Sequence, residues 1–77
     1  MIGEQEANMI HQLQAAAIAA RRATGDRNIG IQAHSGIVDI VRAVPPASGV
    51  GKYSVTILLA NLTPSDAVRE LLGMRRS

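Results

Sequence analysis

The residues Lys52–Leu62, with the sequence KYSVTILLANL, lead directly into Thr63-Pro64-Ser65-Asp66, and this joint decides the fold. Polar and apolar residues alternate in its first half, whereas its second half is apolar on both sides. This pattern is typical of a strand whose far end is covered on both faces. Thr63 is a favourable helix N-cap, Pro64 suits the first helical position, and Asp66 stands where a capping-box acid belongs. The sequence therefore predicts a strand that ends in a capped helix.

Upstream of this joint, residues 3–24 predict one long helix. Its expected apolar face consists of Ile2, Met9, Ile10, Leu13, Ala16, Ala17 and Ala20. Arg21 and Arg22 in the last turn complement the helix dipole, and Gly25 is a natural stop. The abundant alanines have two interpretations: they let another element approach closely, or they simply favour helix formation at surface positions.

The middle of the chain, residues 29–44, is rich in β-branched residues and predicts strands. Two arrangements fit the pattern: two strands with a tight turn at Ser35-Gly36, or one long strand bulged at Gly36. The Pro- and Gly-rich loop of residues 45–51 should then join Ile37–Val44 to Tyr53–Leu62 as an antiparallel hairpin.

A short last helix should begin at Pro64 and end near Leu72, before Gly73. Its predicted inward residues are Ala67, Val68, Leu71 and Leu72. The remaining residues, Met74–Ser77, predict a loose basic tail. Together these segments indicate a single α+β domain: a long first helix, an antiparallel sheet of two or three strands, and a short C-terminal helix, with both helices on one sheet face.

The composition indicates self-association. In 77 residues there is one aromatic residue, Tyr53, and no cysteine, so neither large aromatic groups nor disulfides can stabilise a small core. Ile40, Leu58 and Ala60 should leave the second sheet face too apolar to be fully solvated. We therefore expect a homodimer or a larger ring. The candidate contact residues are His11, Ala15, Ile18, Ile40 and Leu58.

The net charge of +2 is small, although the sequence pI is about 9.9. Nucleic-acid binding is the alternative function, since basic residues cluster at the predicted helix ends and near the hairpin. The candidate contacts are Arg21, Arg22, Arg27, Lys52, Arg75 and Arg76. The competing interpretation is that these charges only complement helix dipoles, and the chain lacks interleaved aromatic residues for base stacking.

No motif in the chain predicts catalysis. His34, Ser35 and Asp39 are the residue types of a hydrolytic triad, but neighbours on a strand point to opposite faces, so His34 and Ser35 should diverge. The loop around Gly51-Lys52 lacks the first glycine and the Ser or Thr of a phosphate-binding loop, and a strand follows it where a helix should. We expect no catalytic residue, no cofactor and no metal site.

The expected function is therefore that of a small interaction protein. It would be a structural or adaptor subunit, or an inhibitor of a larger protein. Compact chains without cysteine or motifs are common among virus- and prophage-encoded proteins, which makes a viral origin an expectation. Without a signal-peptide pattern or an apolar stretch of about 18 residues, we expect a cytoplasmic protein with no membrane partner.

Overall fold

The computed structural model describes residues 4–76, with side-chain burial from Ala7 to Arg76. The predictions for Ile2, for a helix start at residue 3 and for Ser77 lie outside this range. Five elements follow one another in the chain: α1 Glu4–Thr24, β1 Ile29–His34, β2 Ile37–Val44, β3 Ser54–Leu62 and α2 Pro64–Gly73. The predicted α+β fold is confirmed.

The sheet is an antiparallel meander in the order β1-β2-β3. Ser35 and Gly36 turn the chain between β1 and β2 with φ angles of 50° and 76°, both in the left-handed region that a tight hairpin turn requires. The two-strand interpretation of residues 29–44 is therefore the right one. Residues 45–53 form the loop between β2 and β3, which extends two residues beyond the predicted 45–51, so Tyr53 lies outside the strand.

Both helices pack on one face of the sheet and run in the same direction. A short turn leads from α1 into β1, and Thr63 alone separates β3 from α2, so each helix runs back along its strand. Because β1 and β3 are both antiparallel to β2, the two helices end at the same end of the sheet. This places the last turns of α1 and α2 beside the start of β1 and the end of β2.

Small side chains on α1 allow the helices and the sheet to approach closely. Ala16, Ala17 and Ala20 are buried in one cluster that also contains Leu71 of α2. The close-packing interpretation of the alanines thus holds for these three, while Ala15 on the other side of the helix is exposed. The core is thus filled by small and aliphatic side chains that pack at short distances, with no aromatic side chain among the buried residues.

Two residues of the predicted helix faces are not buried. Ile10 of α1 and Leu72 of α2 are each about half exposed, so both predictions of inward side chains are wrong. Each lies beside the contact line of its helix, whose buried residues on α2 are Ala67 and Leu71. The hydrophobic stripe that reaches the sheet is narrower than the sequence pattern suggested.

The ends of α2 are defined by local hydrogen bonds. The Asp66 backbone N–H donates to Thr63 Oγ1 at 3.1 Å, which confirms the predicted N-cap. At the other end, Arg75 Nη1 donates to the carbonyl oxygens of Leu72 and Met74, and the Met74 side chain packs against the core. The prediction of a loose tail is therefore wrong for these residues. Neither helix, as far as residues 4–76 show, is apolar enough over a sufficient length to cross a bilayer.

Candidate protein–protein interface and basic end

The face of the sheet opposite the helices carries an exposed apolar band. Val55 and Ile57 of β3 are 47% and 55% exposed, and they pair with Ala43 and Val41 of β2 on the same face. Val41 is itself only 6% exposed, and Tyr53, which directly precedes β3, is 61% exposed. We call this face, with Val41, Ala43, Val55 and Ile57, the outer face.

The placement of Ile40 and Leu58 corrects the prediction for two candidate contacts. Ile40 is 0% exposed and lies in the core cluster beneath the helices, and Leu58 packs against that same cluster. The face opposite the helices is apolar because of Val55 and Ile57, not because of Ile40. Alternation along β2 turns Val38 and Ile40 to the helices. Leu58 has no partner in the register of β2 and β3, because the register shifts between Ile40 and Val41.

The other three candidate contacts lie on α1. His11, Ala15 and Ile18 are exposed on the side of the helix away from the sheet, and Ile18 is 45% exposed. They form a narrow stripe with one large apolar side chain. Their role in a contact stays a prediction.

A polar network that sequence reasoning missed lies where β3 is bulged. The register of β2 and β3 shifts between Val38 and Ile40, and Asn61 has a φ of 61°. Asp39 Oδ1 accepts the Asn61 backbone N–H at 3.0 Å, and Asp39 Oδ2 lies 3.2 Å from His34 Nε2. Asp39 thus takes the place of the backbone partner that a bulge removes. The signal available in the sequence was an acid inside an apolar strand, five residues after a histidine.

These contacts join β1, β2 and β3 through the carboxylate of Asp39. The hydrogen bond from Asn61 and, second, that from His34 lower the pKa of Asp39 below its ordinary value. Within the described residues no hydrogen bond joins Ser35 to His34, and no group of three or more His, Asp or Glu side chains could hold a metal ion. The arrangement of His34 and Asp39 is that of a strand-pairing contact.

Acid should destabilise the protein through Asp39. Its pKa is lower in the folded chain than the unfolded value of about 3.9, so its stabilisation is complete above that value and is lost as the pH falls through the folded pKa. Thermal melts should therefore shift to lower temperature below about pH 4. Asp39→Asn keeps an oxygen acceptor for Asn61 but no charge, and it should flatten this acid limb. A variant with an unchanged acid limb would contradict the assignment.

The predicted basic residues come together at the end of the sheet where both helices end. Arg21 Nε donates to the Ile29 carbonyl at 2.7 Å, and the Arg76 guanidinium lies against Gly25. The structure adds Arg42, whose Nε donates to the carboxylate of Asp26. The Asn28 backbone N–H and, second, this guanidinium lower the pKa of Asp26.

Arg22, Arg27 and Lys52 complete this end of the molecule, which we call the basic end. Arg22 and Arg27 are exposed near the end of α1 and in the turn that follows it, and Lys52 lies in the loop that projects between β2 and β3. Arg42 was not among the predicted basic contacts, because it lies within an apolar run of strand residues. Nothing in the local pattern reveals that its strand ends beside α1.

Comparisons with known proteins add no relative to this description. No protein-family profile matches the chain, and neither a curated protein nor a solved structure is significantly similar to it. The geometry of the outer face and of the basic end therefore carries the functional argument.

Proposed function

We propose that this protein is a non-enzymatic interaction protein of the cytoplasm that works as a homodimer, with the outer faces of two sheets packed together. The observation that carries the proposal is the exposed apolar band of the outer face, in which Val55 and Ile57 are about half exposed. Contiguous apolar surface of this kind marks interaction sites on folded proteins. Two sheets that pack face to face bury such bands at a separation of about 10 Å.

The surface area of the chain supports a partner of substantial size. The chain exposes 5591 Å². A compact monomer of 8.1 kDa exposes only about 4,500 Å² by the scaling of surface with mass. The difference, roughly 1,100 Å², is comparable to the surface of about 800 Å² that one partner contributes to a stable interface. The radius of gyration of 13.2 Å also exceeds the value of about 11.5 Å for a compact chain of this length.

A second copy is the partner that the outer face suits best. A twofold axis brings identical patches together, and an uncharged apolar patch such as Val55 and Ile57 needs no complementary charge in its partner. Pairing of β3 edges is less favourable, because the register shifts opposite Ile40 and the left-handed Asn61 distort the second half of that strand.

The interface can be tested with two matched charge substitutions. Ile57→Glu places a carboxylate in the outer face, and Ile18→Glu places one in the exposed stripe of α1. Burying an unpaired charge in an apolar interface costs several kcal/mol, so Ile57→Glu should weaken the dimer at least roughly 100-fold. Ile18→Glu should leave it unchanged. The measurement is light scattering after size-exclusion chromatography, with circular dichroism to show that both variants stay folded.

Each other outcome of this experiment has a defined meaning. An unmodified chain that is monomeric at high micromolar concentration would contradict the proposal. Dissociation by Ile18→Glu, with Ile57→Glu still dimeric, would transfer the interface to the stripe of His11, Ala15 and Ile18. The dimer would then present its remaining surface to a larger protein, as a structural or adaptor subunit or as an inhibitor, and a virus or prophage is the origin we propose for such a subunit.

A further inference from the structure

Positive charge is concentrated at one end of the molecule. Of the eight Lys and Arg residues, seven belong to segments that meet where α1 and α2 end. They are Arg21, Arg22, Arg27, Arg42, Lys52, Arg75 and Arg76. The eighth, Arg69, lies on α2, with its Nη1 at 3.4 Å from Asp66 Oδ1. A protein of net charge +2 thus presents a strongly basic end, because its folding gathers arginines that are distant in sequence.

An open cleft of about 380 Å³ lies within this basic end. Apolar side chains of Ile29, Leu58 and Met74 line it, and three arginines border it, namely Arg42, Arg75 and Arg76. Thr24 and Asp26 also line it, and the Asp26 carboxylate is paired with Arg42. Its volume lies within the range of small-molecule sites, which begins near 300 Å³. The combination of an apolar wall and guanidinium groups suits a ligand that carries both a flat organic group and a phosphate.

Helix dipoles account for only part of this charge. Arg75 donates to the carbonyl of Leu72 in the last turn of α2, as the dipole interpretation requires. Arg21 donates instead to the carbonyl of Ile29 in β1. Arg27 lies in a turn. Arg42 lies on strand β2, and its guanidinium is paired with the carboxylate of Asp26. Among the contacts of residues 4–76, no hydrogen bond or ion pair occupies the guanidinium groups of Arg22, Arg27 or Arg76.

We propose that the basic end binds single-stranded nucleic acid. Phosphates of the backbone contact Arg22, Arg27 and Arg76, and one nucleoside lies in the cleft against Leu58 and Met74. An unpaired base can enter such a cleft, whereas a base inside a duplex cannot, so a single strand is preferred to a double strand. The phosphate contacts carry no information about base sequence, so binding is largely independent of sequence and sensitive to salt. The site lies on one chain and does not depend on the proposed dimer.

Fluorescence anisotropy with a labelled oligothymidylate, measured on the full chain over a series of salt concentrations, tests this site. The double variant Arg22→Glu/Arg27→Glu removes two proposed phosphate contacts. Arg69→Glu introduces the same kind of charge change away from the basic end and serves as the matched control. We expect the double variant to weaken binding at least roughly tenfold at low salt and to reduce the salt slope by about 1.4, with little change in the control. Circular dichroism checks that each variant is folded.

Three results would overturn the inference. One is the absence of salt-sensitive binding to the oligonucleotide at low salt. Another is equal weakening by Arg69→Glu and by Arg22→Glu alone, because binding would then follow net charge and not the end formed by Arg22 and Arg27. The third is tighter binding to duplex DNA or to vesicles of anionic phospholipid than to the single strand. Such binding would need only a charged surface and would give the cleft no role.

Discussion

Ile40→Ala will destabilise the fold by about 2–5 kcal/mol, the usual cost of truncating a fully buried isoleucine. Ile40 is 0% exposed in the layer between the helices and the sheet, in contact with the cluster that contains Ala20 and Leu71. A chain of this length has a total unfolding free energy of roughly 4–12 kcal/mol. The substitution should therefore remove a large share of the stability, and much of the protein will be unfolded at moderate temperature.

The matched control is Ile57→Ala, the same chemical change on the outer face of the same sheet. It should cost less than about 1 kcal/mol, because Ile57 is already half exposed in the single chain. Urea unfolding at the lowest practical protein concentration, where dimerisation contributes least, measures both variants. Equal destabilisation of the two would show that the helices do not select the Ile40 side of the sheet.

Ala20→Leu is the second prediction with a large effect. Ala20 of α1 is completely buried against the sheet and α2, in the cluster with Ile29, Ile40 and Leu71. Three added carbon atoms have no space there, so α1 must move outward or neighbouring side chains must leave their preferred rotamers. We expect a destabilisation of about 1–3 kcal/mol.

Ala15→Leu adds the same atoms on the exposed side of the same helix and is the control. Leucine and alanine have similar helix propensities, so this variant should stay within about 0.5 kcal/mol of the unmodified chain. Thermal unfolding followed by circular dichroism compares the two. If Ala20→Leu is as stable as Ala15→Leu, the close approach of the helix to the sheet is not as described.

Local chemistry explains which parts of the fold could be predicted from the sequence. The joint between β3 and α2 depends on Thr63 and Pro64, whose effects reach only a few residues along the chain. The turn at Ser35-Gly36 similarly needs residues that accept a positive φ. Such signals give the elements, their order and the antiparallel sheet without any tertiary information.

The two sheet faces were harder to assign because β3 is apolar on both sides. Leu58 and Leu59 are adjacent and chemically identical, yet one packs on the core and the other is exposed. The choice is made by register with β2, where Asp39 and Asn61 stabilise a bulge. A pairing between residues that are 22 positions apart leaves no trace in a local hydrophobic pattern.

The basic end shows the same division. Arg21, Arg22 and Arg27 could be recognised as a group because they are close in sequence. Their proximity to Arg42 and Arg76 is a product of the parallel helices and the meander, which return distant segments to one end of the sheet. The composition predicted that one chain has too small an apolar core, which is the reason to expect a dimer. The location of the proposed dimer surface depends on the folded chain.

The most direct test of the central claim is an isotope-filtered nuclear Overhauser measurement on a mixture of labelled and unlabelled chains. The claim is that the outer faces of two copies cover each other. We predict intermolecular contacts from the methyl groups of Val55 and Ile57 to the same face of the second copy, with none from Ile18. The absence of intermolecular contacts at Val55 and Ile57, with those methyl groups exposed to solvent, would contradict it.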